Sequence, residues 1–416
     1  MNLAQLQGLA GVVLIVGLCW LLSENRHARP SLRWIGLAIS AQFFLAILIV
    51  RVPLVWEGVT LLNHAVVAIE RATRVGSSYM FGYLGGAPLP FALLPGEAPP
   101  VVIAFQILPL VIVFSAISAL LWHWGILSWM VRRLGRLLER TLGVSGVVGL
   151  GGGATLFLGV VETPLIIRAY LGRISRAELF ATMVMIMATI SGAILILYAT
   201  TLSRAVPDAV GHMISASIIS LPAAILVARL LVSGDGATMA DSEGPSLSYA
   251  GSMDAIVRGT QDGVQLFLAV IGMIIVVFAL VALADQMLAV LPEIGGQPLM
   301  RTPGVPWAEA PAAGALMGTK AILNEYVAYL DLAALPPGSF APRSALIVTY
   351  ALCGVANLAS VGLLVSTIGT LAPERRAEVA ALGMKSWLAG NLASSLTGAV
   401  IGIVTWPRCS THGCAR

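Results

Sequence analysis

The chain has 416 residues, 58% of them hydrophobic and 11% charged, with a formal net charge of +4 and a mean hydropathy of +0.92. Apolar runs of about twenty residues recur from end to end, which excludes a soluble enzyme carrying one anchor and leaves no stretch for a separate soluble domain. The expected class is an all-α polytopic membrane protein, multi-pass in the cell inner membrane.

In chain order, the segments 3–22, 32–52, 101–129, 179–198, 213–231, 264–291, 344–368 and 387–405 are each long enough to cross the hydrocarbon, at roughly 1.5 Å of rise per residue. The first lacks a basic leading region and a convincing small-residue cleavage site, so it reads as a retained helix and not a signal peptide. Residues 57–100, more polar and rich in Gly and Pro, read as an outside segment with a short interfacial helix. The clearest linker is 234–253, where Gly, Ser, Asp and Glu dominate; it reads as a mobile cytoplasmic loop joining two halves. The organisation that follows is 1–145 as scaffold helices with interfacial segments and 146–233 as a first hairpin and the helices after it. Next come 234–262, the linker and the start of a long helix, and 263–416, the rest of that scaffold helix, a second hairpin and the final helices.

Charge placement sets the topology. Arg26, Arg29 and Arg33 share one loop, Arg132, Arg133, Arg136 and Arg140 a second, Arg168, Arg173 and Arg176 a third, and Arg375, Arg376 and Lys385 a fourth. With these loops cytoplasmic, eight crossings put both termini outside. The stretch between Arg140 and Arg168 is basic at both flanks, so it must enter and leave on one side as a re-entrant hairpin. Non-helical backbone at membrane depth requires protein or water around it, which implies a cavity there.

Glu162 lies inside that stretch, in the run from Leu156 to Ile167 that holds no other ionisable group. An acidic side chain at the centre of a membrane helix costs roughly 2.5–3.5 kcal/mol, so such groups face a cavity, a partner or a substrate. A weak internal symmetry accompanies it: an acidic hairpin at Glu162 and then two crossings, an acidic segment at Glu325 and then two crossings, the second set inverted relative to the first. Inverted repeats with broken helices meeting at mid-depth are the architecture of secondary transporters.

Other patterns carry less. The run Gly149, Gly151, Gly152, Gly153 imitates a dinucleotide loop, but no strand precedes it and close helix packing is the better account. The segment from Gly314 to Lys320 is one residue short of a phosphate loop. His64, His123 and His212 lack helically spaced partners, so no metal site is expected from them. Cys19 and Cys353 lie in apolar runs and read as small core residues; the tail Cys409, His412 and Cys414 gives only weak support to a metal site or a small disulfide. The arginines from Arg132 to Arg140 read as the headgroup-facing side of an amphipathic helix, not a nucleic-acid patch. Neither acid has an evident nucleophile or metal ligand beside it, which argues against an enzyme.

The residues around both acids resemble the concentrative nucleoside transporter family, over essentially the whole length and in the same order. The telling pieces are Gly159-Val160-Val161-Glu162-Thr163-Pro164-Leu165 with Arg168, then Ala188-Thr189-Ile190-Ser191-Gly192, then Gly318-Thr319-Lys320 through Asn324-Glu325-Tyr326-Val327-Ala328-Tyr329. Cys353-Gly354-Val355-Ala356-Asn357 with Ser360 follows. The resemblance implies eight transmembrane helices plus two opposed re-entrant hairpins in inverted repeats, a homotrimer in the lipid bilayer, and inward movement of nucleosides with sodium or protons. It implies that Glu325, Asn357 and Ser360 hold ribose hydroxyls; three residues apart on a helix, the last two would share a face. It further implies that Glu162 and Ile194 line the base side, and that Thr155, the Leu158 carbonyl, Thr189 and the Ile190 carbonyl form the sodium site. No cofactor is implied.

Two departures stand out. The family's polar Gln-Thr pair at the first hairpin tip is Val160 and Val161 here, an apolar wall in place of a base-reading edge. Between Leu291 and Gly304, the segment 292–303 has three prolines and no helical apolar period, so roughly four turns of the second hairpin's first limb are expected to be absent there. The leading function is a cation-coupled importer of nucleosides or related ribosylated solutes. A symporter for another small polyol or modified nucleoside, and a transport-inactive receptor or scaffold, stay open beside it.

Overall fold

A computed structural model describes residues 3–25, 30–92, 102–160, 162–168, 170–202, 206–234, 248–288, 309–336 and 338–405. Among the described residues the secondary structure is helical, with no strand. The helices are α1 (Leu3–Leu21), α2 (Leu32–Arg51), α3 (Pro53–Phe81), α4 (Ile103–Gln106), α5 (Pro109–His123), α6 (Ile126–Leu142), α7 (Gly146–Thr155), α8 (Glu162–Ile166) and α9 (Arg176–Ala188). They continue as α10 (Gly192–Leu202), α11 (Ala209–Leu231), α12 (Ser252–Leu288), α13 (Ala310–Ile322), α14 (Glu325–Ala334), α15 (Pro342–Leu352), α16 (Leu358–Leu371) and α17 (Arg376–Val404).

The chain divides into two compact units. The smaller takes Leu61–Leu127 and Ser248–Gly296; in it α12 lies along α5, where Gly259 and Gly263 meet Ile112, Ser115, Ala116 and Ala119. The larger, Met1–Thr60, Ser128–Leu247 and Gln297–Arg416, contains both expected hairpins and every predicted site residue that is described.

Hydrogen bonds show how the larger unit is threaded. At one end the Glu24 amide donates to the Leu231 carbonyl at 2.9 Å, and the Glu24 carboxylate pairs with Arg176 at 2.9 Å and with Lys385. Arg375 pairs with Glu378 at 2.7 Å and donates to the carbonyls of Leu171 and Ile174. Trp34 and Arg229 both donate to the Leu142 carbonyl. The basic loops therefore meet at one end, and the stretch from Leu142 to Ile174 leaves that end and returns to it, as the charge pattern predicts. At the far end of α17, Arg51 donates to the Val404 carbonyl and Arg343 to the Gly402 carbonyl. There the Ala341 amide, just ahead of α15, donates to Glu309, just ahead of α13. Residues 309–341 thus start and finish at the opposite end, so the two hairpins enter from opposite ends.

Three expectations change. The segments 179–198 and 344–368 are not continuous crossings: each is a pair of half-helices, α9 with α10 and α15 with α16, broken at Thr189–Ser191 and Cys353–Asn357. Four helices, Leu32–Arg51, Ala104–His123, Ala209–Leu231 and Pro373–Val404, are by themselves long and apolar enough to cross among the described residues. Segment 101–129 is shorter than expected because Gly125, at φ 78°, ends α5 and lets α6 begin at Ile126. The segment 292–303 lies outside the described residues, and so does the Cys409 to Cys414 tail. The described limb before Glu325 is α13, thirteen residues that turn at Leu323 and Asn324 directly into α14. The limb therefore lies further along the chain than 292–303, in the glycine- and alanine-rich stretch whose weak apolar pattern hides it.

Other readings hold. In α6 the residues Leu127, Val131, Leu138 and Leu142 are buried at helical spacing while Arg132, Arg133, Arg136 and Arg140 are exposed. Cys19 and Cys353 are buried free thiols. The glycines of α7 serve close packing: a Cβ on Gly149 would stand 2.6 Å from the Gly135 carbonyl oxygen, and one on Gly153 2.6 Å from that of Val131.

Gly149→Ala is accordingly expected to destabilise the folded protein by about 1–3 kcal/mol, since backbone must shift to admit the methyl group, while Gly36→Ala, inside α2 and meeting nothing within 4 Å, should stabilise it by up to about 1 kcal/mol, alanine being the better helix former. Melting of both purified variants in detergent measures this. At the basic end, burial alone would raise the Glu24 pKa, but hydrogen bonds from Arg176 and Lys385 outweigh it and hold the carboxyl below its ordinary value. A pKa lowered by folding stabilises above the ordinary carboxylate value, and that contribution is lost as pH falls through the folded value. The melting temperature of the parent should therefore exceed that of Glu24→Gln at neutral pH, with the gap closing on acidification.

Candidate functional site

Glu325 is the first residue of α14 and 3% exposed. Its placement follows from local chemistry: Asn324, in extended backbone, caps the helix by accepting from the Val327 amide at 2.8 Å, and the N-terminal end of a helix favours the negative charge that comes next. One carboxylate oxygen accepts from the Tyr198 hydroxyl at 2.7 Å and the other from the Asn357 side-chain amide at 2.8 Å. Tyr198 is also stacked on Tyr326, with ring centroids 5.6 Å apart, and tilted against Tyr329 at 5.5 Å. The acid thus joins α14 to the half-helices α10 and α16.

Asn357 is the cap of α16 and not a residue within it. Its oxygen accepts from the Ser360 amide at 2.8 Å, leaving only the amide nitrogen to face Glu325. Asn357 and Ser360 are therefore linked side chain to backbone, a different relation from two groups on one helical face. Lys320, at 0% exposure, does not pair with Glu325; it donates to the Ala351 carbonyl at 2.9 Å and the Ser394 hydroxyl at 2.6 Å.

The first hairpin repeats the plan. Glu162 is the first residue of α8, and its carboxylate folds back over the tip, 2.6 Å from where a Cβ on Gly159 would stand. Helix α8 packs against α16, which Asn357 caps. Val161 lies outside the described residues.

Beside that tip is a cavity of about 20 Å³ lined by Thr155, Leu158, Gly159, Val160, Ile186, Thr189, Ser191, Ile194 and Val355, room for one water or a small ion and far short of a nucleoside. It collects the predicted cation residues Thr155, Leu158 and Thr189 with the predicted base-side residues Val160 and Ile194. Ile190 is next in chain, its amide donating to Ser217. The Thr155 and Thr189 hydroxyls spend their protons on the carbonyls of Gly152 and Met185, at 2.8 and 2.9 Å, so their lone pairs are what they can offer inward. The Ser191 hydroxyl is buried and has no hydrogen-bond partner among the described residues. Several oxygens, and no side-chain cation among the described lining residues, suit a hard monovalent cation.

The two helix breaks touch here. The Val355 amide donates to the Thr189 carbonyl at 3.3 Å. Gly354 at φ 136° lies so close to Met187 and Ala188 that a Cβ would meet their carbonyl oxygens at 3.0 and 3.1 Å. Only glycine suits that conformation and that spacing. Sequence reading missed Tyr198, Ser191 and Val355. Tyr198 carries no local signal beyond being a hydroxyl at the end of an apolar run, whereas Ser191 stands in the Thr189 to Gly192 motif and could have been found there.

Comparison with known proteins gives the family. Residues 10–84 and 212–402 match the N-terminal and C-terminal models of the Na+ dependent nucleoside transporter, and 104–205 match the nucleoside recognition gate model. The uncharacterized transporter YutK of Bacillus subtilis is 31% identical over 96% of this chain and 99% of its own. The nucleoside permease NupC of Helicobacter pylori is 28% identical over 97% and 98%. The solved structure of CNTnw in an inward-facing substrate-bound state is 29% identical, with a TM-score of 0.85 over 97% of this chain and 100% of that one. The polyol-symporter and inactive-receptor readings are not favoured. The chain belongs to the concentrative nucleoside transporter family: it is a multi-pass membrane protein, in the inner membrane in bacteria, that imports nucleosides by cation-coupled symport, sodium being the family's coupling ion.

Proposed function

We propose that the nucleoside binds where α14, α16 and the first hairpin tip converge, with Glu325, Asn357 and Ser360 on the ribose hydroxyls and Glu162, Val160, Val161 and Ile194 around the base. The observation that carries this is the doubly hydrogen-bonded carboxylate of Glu325, held between Tyr198 and Asn357. Each of its oxygens has a hydrogen-bond partner in place. A carboxylate so placed can take vicinal hydroxyls in exchange for its present donors. Val160 offers the base an apolar side chain, so selectivity among bases is weak.

Sodium binds at Thr155, the Leu158 carbonyl, Thr189 and the Ile190 carbonyl, with Ser191 as an added oxygen. Ion and sugar are then coupled through a short path, because Thr189 is bonded to Val355, which shares one helix break with Asn357. Holding the ion steadies that break and, with it, the amide that faces Glu325. The hairpin-bearing unit moves as a transport element past a scaffold, and three copies form the assembly. Exposed apolar residues of α12, including Leu268 and Ile275, support a face for lipid or neighbouring copies.

Uptake of labelled uridine into proteoliposomes tests the reading, with sodium and proton gradients imposed separately. A sodium gradient should drive accumulation and a proton gradient alone should not. Glu325→Gln is expected to lower uridine uptake about 10- to 100-fold, the usual scale for losing hydrogen bonds to a charged group; parental uptake by this variant sinks the sugar assignment. Thr189→Val should raise the sodium concentration for half-maximal uptake by about tenfold, as one oxygen ligand is removed, with uridine affinity at saturating sodium little changed. An unaltered sodium dependence rejects the ion site.

A further inference from the structure

Lys320 is the one fully buried cation whose partners are both recorded and both neutral among the described residues. Its ammonium meets a carbonyl, that of Ala351, and a hydroxyl, that of Ser394. The Ser394 hydroxyl gives its own proton to the Asn391 carbonyl at 3.1 Å, so toward Lys320 it can only accept. Both neighbours being acceptors, the nitrogen is the donor in each contact. Glu325 does not neutralise it directly, because its two oxygens are taken by Tyr198 and Asn357. What offsets the buried charge is the end of a half-helix: Ala351 is the penultimate residue of α15, where carbonyls lack intrahelical partners and the helix end carries partial negative charge.

Carbonyl and hydroxyl oxygens at the C-terminal end of a broken helix are also the ligand type of the cavity in the other repeat. There the break after α9 and the end of α7 present Thr155, Thr189 and Ser191 around about 20 Å³, with no cationic side chain among the described lining residues. Here Lys320, in the last turn of α13, directs its nitrogen to the end of α15 at Ala351 and to Ser394 of α17. One repeat has room for a free ion, and its counterpart is filled by a charge fixed to the chain.

We propose that Lys320 is a tethered cation that occupies, in the second repeat, the position equivalent to the sodium site of the first, so that this half of the carrier is permanently in its ion-loaded arrangement. The comparison rests on the first-repeat cavity being the sodium site; the requirement for a positive charge between Ala351 and Ser394 is tested independently of it.

The test is Lys320→Ala, which removes the ammonium and leaves the two oxygens facing a space large enough for a small cation. Uridine uptake should fall about tenfold or more, as for other losses of a charged hydrogen-bonding group, and recover when methylammonium or ethylammonium chloride is added; tetramethylammonium, which has no N–H, should not restore it. At high sodium without alkylammonium, any residual uptake should depend on sodium more steeply than in the parent, by one further ion. Lys320→Met transporting like the parent overturns the proposal, since no charge would then be needed. Folded Lys320→Ala that binds uridine yet responds to neither alkylammonium nor sodium also overturns it. Should Lys320→Ala fail to yield folded protein, Lys320→Gln takes its place, read by its melting temperature: a rise with ethylammonium but not tetramethylammonium supports the proposal, and equal responses overturn it. Failure of Thr189→Val to alter sodium dependence, with alkylammonium rescue intact, rejects the first-repeat ion site and leaves the charge requirement of Lys320 standing.

Discussion

Helices that stop inside a membrane leave backbone donors and acceptors with no water to receive them, and each unsatisfied group costs several kcal/mol. That constraint explains the position of nearly every buried polar side chain around the two breaks and the second hairpin turn. Asn357 and Asn324 cap helix starts, and Ser217 receives the Ile190 amide. Lys320 takes the Ala351 carbonyl, Trp387 that of Ala321, and Asn391 that of Ala356. Each of these groups is supplied by a neighbouring element or by the break itself, so interrupting the helices and packing them together are one physical event. Polar groups become available at mid-depth only because other polar groups hold the interruption open.

The same logic gives the two repeats their functional likeness. Each hairpin places an acid at the first residue of its returning limb, Glu162 on α8 and Glu325 on α14. Each is followed by a broken helix, and the breaks bond to each other through Val355 and Thr189. Helix α17 ties the arrangement together: its start pairs with the loops of the first hairpin, its middle receives the second hairpin through Trp387 and Ser394, and its end meets the start of α15 through Arg343.

Much of this is legible in the residues. The acids stand out because each interrupts an apolar run, and the basic loops reveal a re-entrant segment because a stretch with arginines at both flanks cannot end on the far side. The glycines of α7 read correctly as packing residues, since nothing before them could be a strand. Other features were hidden. The second hairpin's first limb is built from Gly, Ala, Pro and Thr around Lys320, a composition with little apolar contrast, so periodicity pointed to the wrong place. The breaks in α9–α10 and α15–α16 were missed because the residues at each interruption are themselves mostly small and apolar, and hydropathy averages straight through them. Asn357 reads as a helix residue beside Ser360 until its cap geometry is known.

The multi-pass character, the gathering of the basic loops at one end and the places of the two acids are properties of local composition: transfer of a residue into lipid depends on that residue and its immediate neighbours, so the amino-acid order alone determined them. The partners of those acids were decided by tertiary structure. Tyr198 reaches Glu325 across 127 positions of sequence, and Lys320 finds Ser394 across 74. Such pairings depend on which turn of one broken helix comes to rest against which turn of another, a matter of packing at close range that no local pattern encodes.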